Sequence, residues 1–304
     1  MNIEVTRLNQ GISSPEEFVR NVDNEYQYKL RKIAAEIAEN SDERPIILLS
    51  GPSGSGKTTS AMMISRILAE SGVVMHTLSM DNYFKSLSEE EKTLAAEGKL
   101  DLESPDRVDA ELLSSQIEAI RAGEEVELPK YNFVTSARES GCKFRKNHGE
   151  LVIFEGIHAL NPAVIKVPDS HVCKIYVSVR TRITDGNTVL HPSRIRLMRR
   201  MIRDGKFRQR TLRETMKMFH SVEEGENKYI MPYKYRSDFD LDTFMAYEPA
   251  VYRDFLMTGL REMTDVPEIR ELLSVMEKVS PLDDDFVPAD SLVREFIGSG
   301  IFSY

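Results

Sequence analysis

The sequence predicts an α/β fold, a doubly wound parallel sheet flanked by helices, on three observations. Short continuous apolar runs such as Pro45 to Ser50 have the character of strands buried on both faces of a parallel sheet. These runs alternate with helical patterns, as a doubly wound sheet requires. The turn after the first run, Gly51-Pro-Ser-Gly-Ser-Gly-Lys-Thr58, fits G-x-x-x-x-G-K-[ST], the phosphate loop of a P-loop NTPase where it joins a strand to a helix.

The elements follow in order. Residues 1–44 read as an N-terminal helical extension. In it Ser14-Pro-Glu-Glu17 is a capping box with proline at the first helical position. Phe18, Val22, Tyr26, Leu30, Ile33 and Ile37 continue at helical spacing to about Asn40. The nucleotide-binding domain, 45–247, opens with the first strand, the phosphate loop and a helix from Lys57 to Ala69. Val73 to Ser79 is the second strand. Ser88 to Gly98 and Pro105 to Ala122 read as helices, the latter closed by Gly123. Pro129 to His148 is mixed and polar, a hairpin or excursion over the site. Leu151 to Phe154 and Cys173 to Val179 are further buried strands. The polar loop Thr184 to Pro192 and the arginine-rich helix from Ser193 to about Asp204 are expected to form a mobile lid, near 184–213. Asp238 to Phe244 is the last strand. Glu248 to Leu260 and Val266 to Lys278 belong to a C-terminal helical extension, 248–304, packed on the domain before it.

Composition narrows the function. With 304 residues, 41% hydrophobic and 29% charged, the chain suits a soluble protein with a large core. A formal charge of −9 argues against general nucleic-acid binding, so any basic site is local. Cys142 and Cys173 are too few and too far apart for a disulfide framework or a zinc site. The first ten residues lack a signal-peptide pattern, and no apolar run approaches membrane-spanning length. A cytoplasmic protein without membrane or nucleic-acid partners is expected, its partner a small molecule. Assembly into a homo-oligomer stays open.

The phosphate loop carries the first chemistry. Gly51, Ser53, Gly54, Ser55, Gly56 and Thr59 would turn backbone N–H groups around ATP phosphates at a helix N-terminus. Lys57 would reach the outer phosphates and Thr58 would ligate Mg²⁺. Asp81, just past the second strand, lies at the sheet edge where such folds bind ligands. It suits a base toward an attacking hydroxyl, a holder of Mg²⁺, or a helix cap. Glu155 ends the Leu-Val-Ile-Phe strand and would orient Mg²⁺ or its water, or cap the next helix. A basic cluster runs from Arg194 through Arg196, Arg199, Arg200, Arg203, Lys206, Arg208 and Arg210 to Arg213. Arg196, Arg200 and Arg203 share a helix face and would converge on phosphate oxygens.

Taken together, these residues resemble the uridine kinase and phosphoribulokinase family of P-loop kinases. Ser79-Met-Asp-Asn-Tyr-Phe-Lys85 resembles its Asp-x-Phe-Tyr segment, which implies Asp81 as catalytic base and Tyr83 and Phe84 as an aromatic pair near a nucleoside. Leu102 to Asp109 resembles its Phe-Asp-His-Pro-Asp-Ala-Phe-Asp segment, which places Glu103 on the ribose hydroxyls. Leu128 to Arg138 resembles the stretch lining its base pocket, with Tyr131 and Arg138 in pattern. Arg199-Arg-Met-Ile-Arg-Asp204 resembles its lid, which implies that Arg200 meets substrate, Arg203 acts in catalysis, and Arg208 and Arg210 bind ATP. Ser221 to Ile230 and Val287 to Gly298 look like the bacterial uridine kinase-like subgroup.

Two positions depart from the family. Ser136 and Ser104 stand where it carries a base-reading histidine and a ribose-segment histidine. The resemblance implies an ATP- and Mg²⁺-dependent kinase acting on the 5′-hydroxyl of uridine, cytidine or a related nucleoside. A kinase of a sugar phosphate or pantothenate-like acid, and a nucleotide-binding regulatory protein, are the alternatives.

Overall fold

The computed structural model describes residues 1–303. The chain runs β1 (Asn2–Glu4), α1 (Val5–Ile12), α2 (Pro15–Glu39), β2 (Ile46–Ser50), α3 (Lys57–Glu70) and β3 (Met75–Ser79). Next come α4 (Glu89–Ala96), α5 (Ala110–Arg121), β4 (Val126–Asn132), β5 (Ala137–Phe144), β6 (Leu151–Glu155) and β7 (Val172–Ser178). The rest is β8 (Arg182–Asp185), β9 (Thr188–Leu190), α6 (Pro192–Arg208), α7 (Leu212–Tyr229), β10 (Phe239–Asp242), α8 (Glu248–Arg261), α9 (Pro267–Met276) and α10 (Arg294–Ile297).

The expected parallel sheet is present, in the spatial order β10-β7-β2-β6-β3. Its central strands are buried apart from Glu155 at the end of β6, and their period of two divides them between two cores. Ile47, Leu49, Leu151, Ile153, Cys173, Ile175 and Val177 pack with α2, α3, α6, α8 and α9. Ile46, Leu48, Val152, Phe154 and Tyr176 pack with α5 and the β4–β5 hairpin. Consecutive strands diverge on either side of β2, so a crevice opens at the carboxyl ends of β2, β3 and β6.

Several expectations need correction. The first twelve residues are not simply helical: β1 pairs in parallel with β8, which forms a hairpin with β9. The segment expected as an open lid loop is therefore sheet, turned at Gly186 with φ of 56°. The Asp-Gly-Asn sequence at this turn is a hairpin signal. Ser14 makes no side-chain cap at the start of α2, where its φ and ψ are −131° and 71°. Pro105 to Ala122 is not one helix. A single 3₁₀ turn, Pro105–Arg107, ends at extended Val108, and Asp109 caps α5 by accepting from Leu112 N–H at 3.1 Å. The arginine-rich helix of the expected lid, α6, seats Ile195, Leu197, Met198, Met201 and Ile202 in the core.

The terminal segments share this core. Tyr26 of α2 meets Ser60 of α3 at 2.8 Å. Tyr247 donates to Asp23 at 2.7 Å and contacts Ser291 at 2.6 Å, joining α2 to the C-terminal segment. Burial pushes the Asp23 carboxyl up from 3.8 to about 6, against its bonds to Tyr247 and Ser291. Between pH 4 and 6 the folded state thus holds a proton that the unfolded chain has lost, and stability falls as pH rises through that window. Asp23→Asn removes the effect. The variant is expected to gain on the parent by on the order of 2 kcal/mol between pH 4 and pH 7, in urea unfolding at both pH values. A difference independent of pH would show that Asp23 does not titrate there.

Candidate active site

The phosphate loop owes its path to close backbone approach. A Cβ on Gly51 would lie 2.0 Å from the carbonyl oxygen of Val177, so no side chain fits where the loop leaves β2. Gly56, with φ of 83°, makes the left-handed turn into α3, and its missing Cβ leaves room for Leu292. Helix α6 buttresses the loop from outside. Arg196 donates to Ser53 O at 3.1 Å, Arg199 donates to Gly54 O at 3.1 Å, and Arg200 bonds Ser53 Oγ.

A cavity of about 790 Å³ opens over the loop. Its wall carries the polar residues Lys57, Thr58, Asp81, Glu103, Ser136, Glu155, Arg203, Arg208 and Arg210 together with the aromatic rings of Phe84, Tyr131 and Phe133. Asp81 sits in the turn after β3, its N–H donating to Ser79 Oγ at 3.3 Å. Burial raises its carboxyl above the usual range, opposed by Lys57 and Arg208. Burial lowers the Lys57 ammonium, opposed by Glu155, Asp81 and Glu295. Glu155 is pushed up from 4.5 to about 7 by burial, opposed by Lys57, with Asp81 and Glu295 adding to the rise. Thr58 donates to its Oε1 at 3.4 Å. Carboxylates crowded beside a hydroxyl in this way suit a hard divalent cation with oxygen ligands.

One buried acid gathers the arginines. Asp204, fully buried, lies 3.3 Å from Arg203, 3.1 Å from Arg208, 3.6 Å from Arg210 and 3.9 Å from Arg200. This focus leaves Arg200, Arg203, Arg208 and Arg210 on the cavity wall, a basic surface suited to phosphate oxygens. Arg196 and Arg199 do not join them. Arg196 is tied to Glu226, and Arg199 is enclosed in the core with Glu248. Arg213 pairs with Asp265 at the surface.

Phe84, Tyr131 and Phe133 meet edge to face in this wall, with ring centroids 5.1–6.5 Å apart. Ser136 closes this wall in the left-handed region, with φ of 54°. Burial raises the Glu103 carboxyl, opposed by Arg200 and Lys57. Two residues expected here are elsewhere. Tyr83 is buried in the core, its hydroxyl donating to Gln116 at 2.8 Å, because the 3₁₀ turn directs it inward while Phe84 faces out. Arg138 pairs with Asp109 at 2.8 Å and lines a neighbouring cleft behind the hairpin. Gly51, Ser55 and Thr59 lie behind the cavity surface. The lining also includes residues that were not anticipated, Phe133, Arg107 and Glu295 among them. Phe133 stands two positions from Tyr131, a spacing that marks one strand face, but Arg107 and Glu295 carry no local signal.

The profile of the Phosphoribulokinase / Uridine kinase family matches residues 46–246. Uridine-cytidine kinase-like 1 of Mus musculus is 33% identical over 194 residues, 63% of this chain and 32% of that protein. Uridine-cytidine kinase 2-B of Danio rerio is 28% identical over 200 residues, 64% of this chain and 70% of that protein. The chain therefore spans about a third of the mouse relative. A candidate fructose transport system kinase from Silicibacter sp. TM1040 superposes with a TM-score of 0.55 at 17% identity, covering 70% of this chain and 98% of that one. That likeness concerns the fold alone. No helix among the described residues is long and apolar enough to cross a membrane.

Proposed function

Because the chain belongs to the phosphoribulokinase and uridine kinase family, we propose that it is an ATP-dependent kinase for the 5′-hydroxyl of uridine, cytidine or a related nucleoside. One observation carries the reading. A single cavity is lined by Lys57 of the phosphate loop, a raised carboxyl on Asp81, four arginines gathered by Asp204 and an aromatic cluster.

The acceptor lies against Phe84 and Tyr131, with Glu103 accepting from its ribose hydroxyls. Asp81 takes the proton of the 5′-hydroxyl as that oxygen bonds the terminal phosphorus. The bond from phosphorus to the bridging oxygen breaks and ADP leaves. Lys57, Arg203, Arg208 and Arg210 offset the charge spread over the transferring group, and Arg200 holds Ser53 and the loop in place. Thr58 and Glu155 are the residues to hold Mg²⁺, which when bound neutralises phosphate charge.

A second reading, a kinase of a sugar phosphate or pantothenate-like acid, draws on Ser136. Its short hydroxyl lines the acceptor end where the family has a histidine, and a lost hydrogen-bonding partner shifts discrimination strongly. Coupled ATP turnover with Mg²⁺ against nucleosides, sugar phosphates and pantothenate decides between them. Turnover with uridine or cytidine, at least 100-fold above the other acceptors, is expected. Turnover with another acceptor alone overturns the nucleoside pocket. Tight ATP binding without acceptor-dependent turnover makes the protein a nucleotide-binding regulator.

A further inference from the structure

The family match ends at residue 246, yet the nucleotide end of the cavity is completed from beyond it. Helix α10 sends Glu295 onto the first turn of α3, where its Oε2 accepts from Thr59 Oγ1. The carboxylate lines the same cavity as Gly56, Lys57, Arg203 and Arg208. Its influence reaches both Lys57 and Glu155, raising each. It is 9% exposed.

The segment bearing it is anchored in the core. Ser291, Leu292, Val293, Phe296 and Ile297 are buried, and Leu292 fills the space left by Gly56. The Arg199 guanidinium lies 4.9 Å from the Phe296 ring centroid. Lys206 donates to Ile297 O at 2.8 Å, and Tyr247 meets Ser291 at 2.6 Å. Glu295 is thereby a fixed negative charge, built into the end of a helix whose N–H groups and dipole otherwise attract anions.

We propose that Glu295 sets the affinity of the site for nucleotides, acting as a built-in anion that weakens the hold of the phosphate loop on ATP and ADP alike. The inference rests on the reading of this cavity as an ATP site. Held beside the loop, the carboxylate repels the phosphates of either nucleotide and partly neutralises Lys57 in the empty enzyme. Weak retention of ADP favours turnover wherever product release is rate-limiting, as it is in many well-evolved enzymes. Glu295 is a positioning and affinity-setting residue in this scheme, with no part in proton transfer.

The test compares ATP and ADP binding to the full chain by calorimetry, with Glu295→Gln, which keeps an oxygen to accept from Thr59 and removes the charge. The variant is expected to bind both nucleotides about tenfold more tightly, with the gain shrinking in high salt. It should also show a lower KM for ATP and a kcat that is unchanged or reduced. Equal affinity in parent and variant overturns the proposal. Weaker binding by the variant also overturns it and makes Glu295 a hydrogen-bond acceptor for the nucleotide. Should Glu295→Gln fail to fold, Glu295→Ala is read in the same way. If the parent binds no ATP, the reading of the cavity falls instead, so the two failures are told apart.

Discussion

Asp81→Asn is expected to lower kcat by about 10²–10⁴-fold, with the KM for ATP changed by less than about threefold. The proton of the attacking hydroxyl needs an acceptor at the carboxyl edge of the sheet. Asp81 is held there by the turn after β3, and its N–H is already committed to Ser79 Oγ. Burial lifts its carboxyl above the ordinary range, which brings its basicity nearer to neutral pH, while Lys57 and Arg208 keep it from rising without limit. Asparagine keeps the size and loses the base. The rate of the parent should consequently fall as pH drops through the raised Asp81 titration, and the variant should lack that limb. A kcat within tenfold of the parent would mean that another group takes the proton.

Arg199→Met is expected to destabilise the protein by about 3–5 kcal/mol, the cost of breaking a buried ion pair. Arg199 and Glu248 are both fully buried. The guanidinium donates to Glu248 Oε2 at 2.7 Å and Oε1 at 2.9 Å, to Thr243 O at 2.7 Å, and to Gly54 O at 3.1 Å. Methionine leaves the Glu248 charge and two carbonyl oxygens without these donors. One of those oxygens belongs to the phosphate loop, so ATP binding should weaken as well. Urea unfolding gives the first quantity and calorimetry the second. Arg213→Met supplies the contrast, since its pair with Asp265 is solvent-exposed and screened and its loss is expected to leave the urea midpoint nearly unchanged. Similar losses for the two variants would show that the core pair is no more than a surface contact.

These two residues mark the boundary between what the chain announces locally and what it does not. Asp81 stands two positions past the end of β3, so its place at the sheet edge follows from its own strand. Arg199 lies one residue from Arg200 in a basic run, and nothing in that run says which guanidinium faces phosphate and which faces the core. The difference is set by Glu248, 49 positions away. The same logic explains Tyr83 and Phe84. The sequence places the pair at the end of β3, but only the turn after the strand decides that Tyr83 bonds Gln116 while Phe84 meets Tyr131.

By itself the sequence determined the sheet strands, the phosphate loop and its helix, the hairpin over the site, and Lys57, Thr58, Asp81 and Glu155 as candidate chemistry. Those features rest on periodicity of two or 3.6 and on glycines at close backbone approach, all of which act over a few residues. The tertiary structure alone decided that 182–190 pairs with the N-terminal strand, that Asp204 gathers four arginines, and that Glu295 reaches Thr59 from 236 positions away. Burial of unlike charges and the meeting of distant segments depend on how layers stack around two cores. Local pattern carries no record of that stacking.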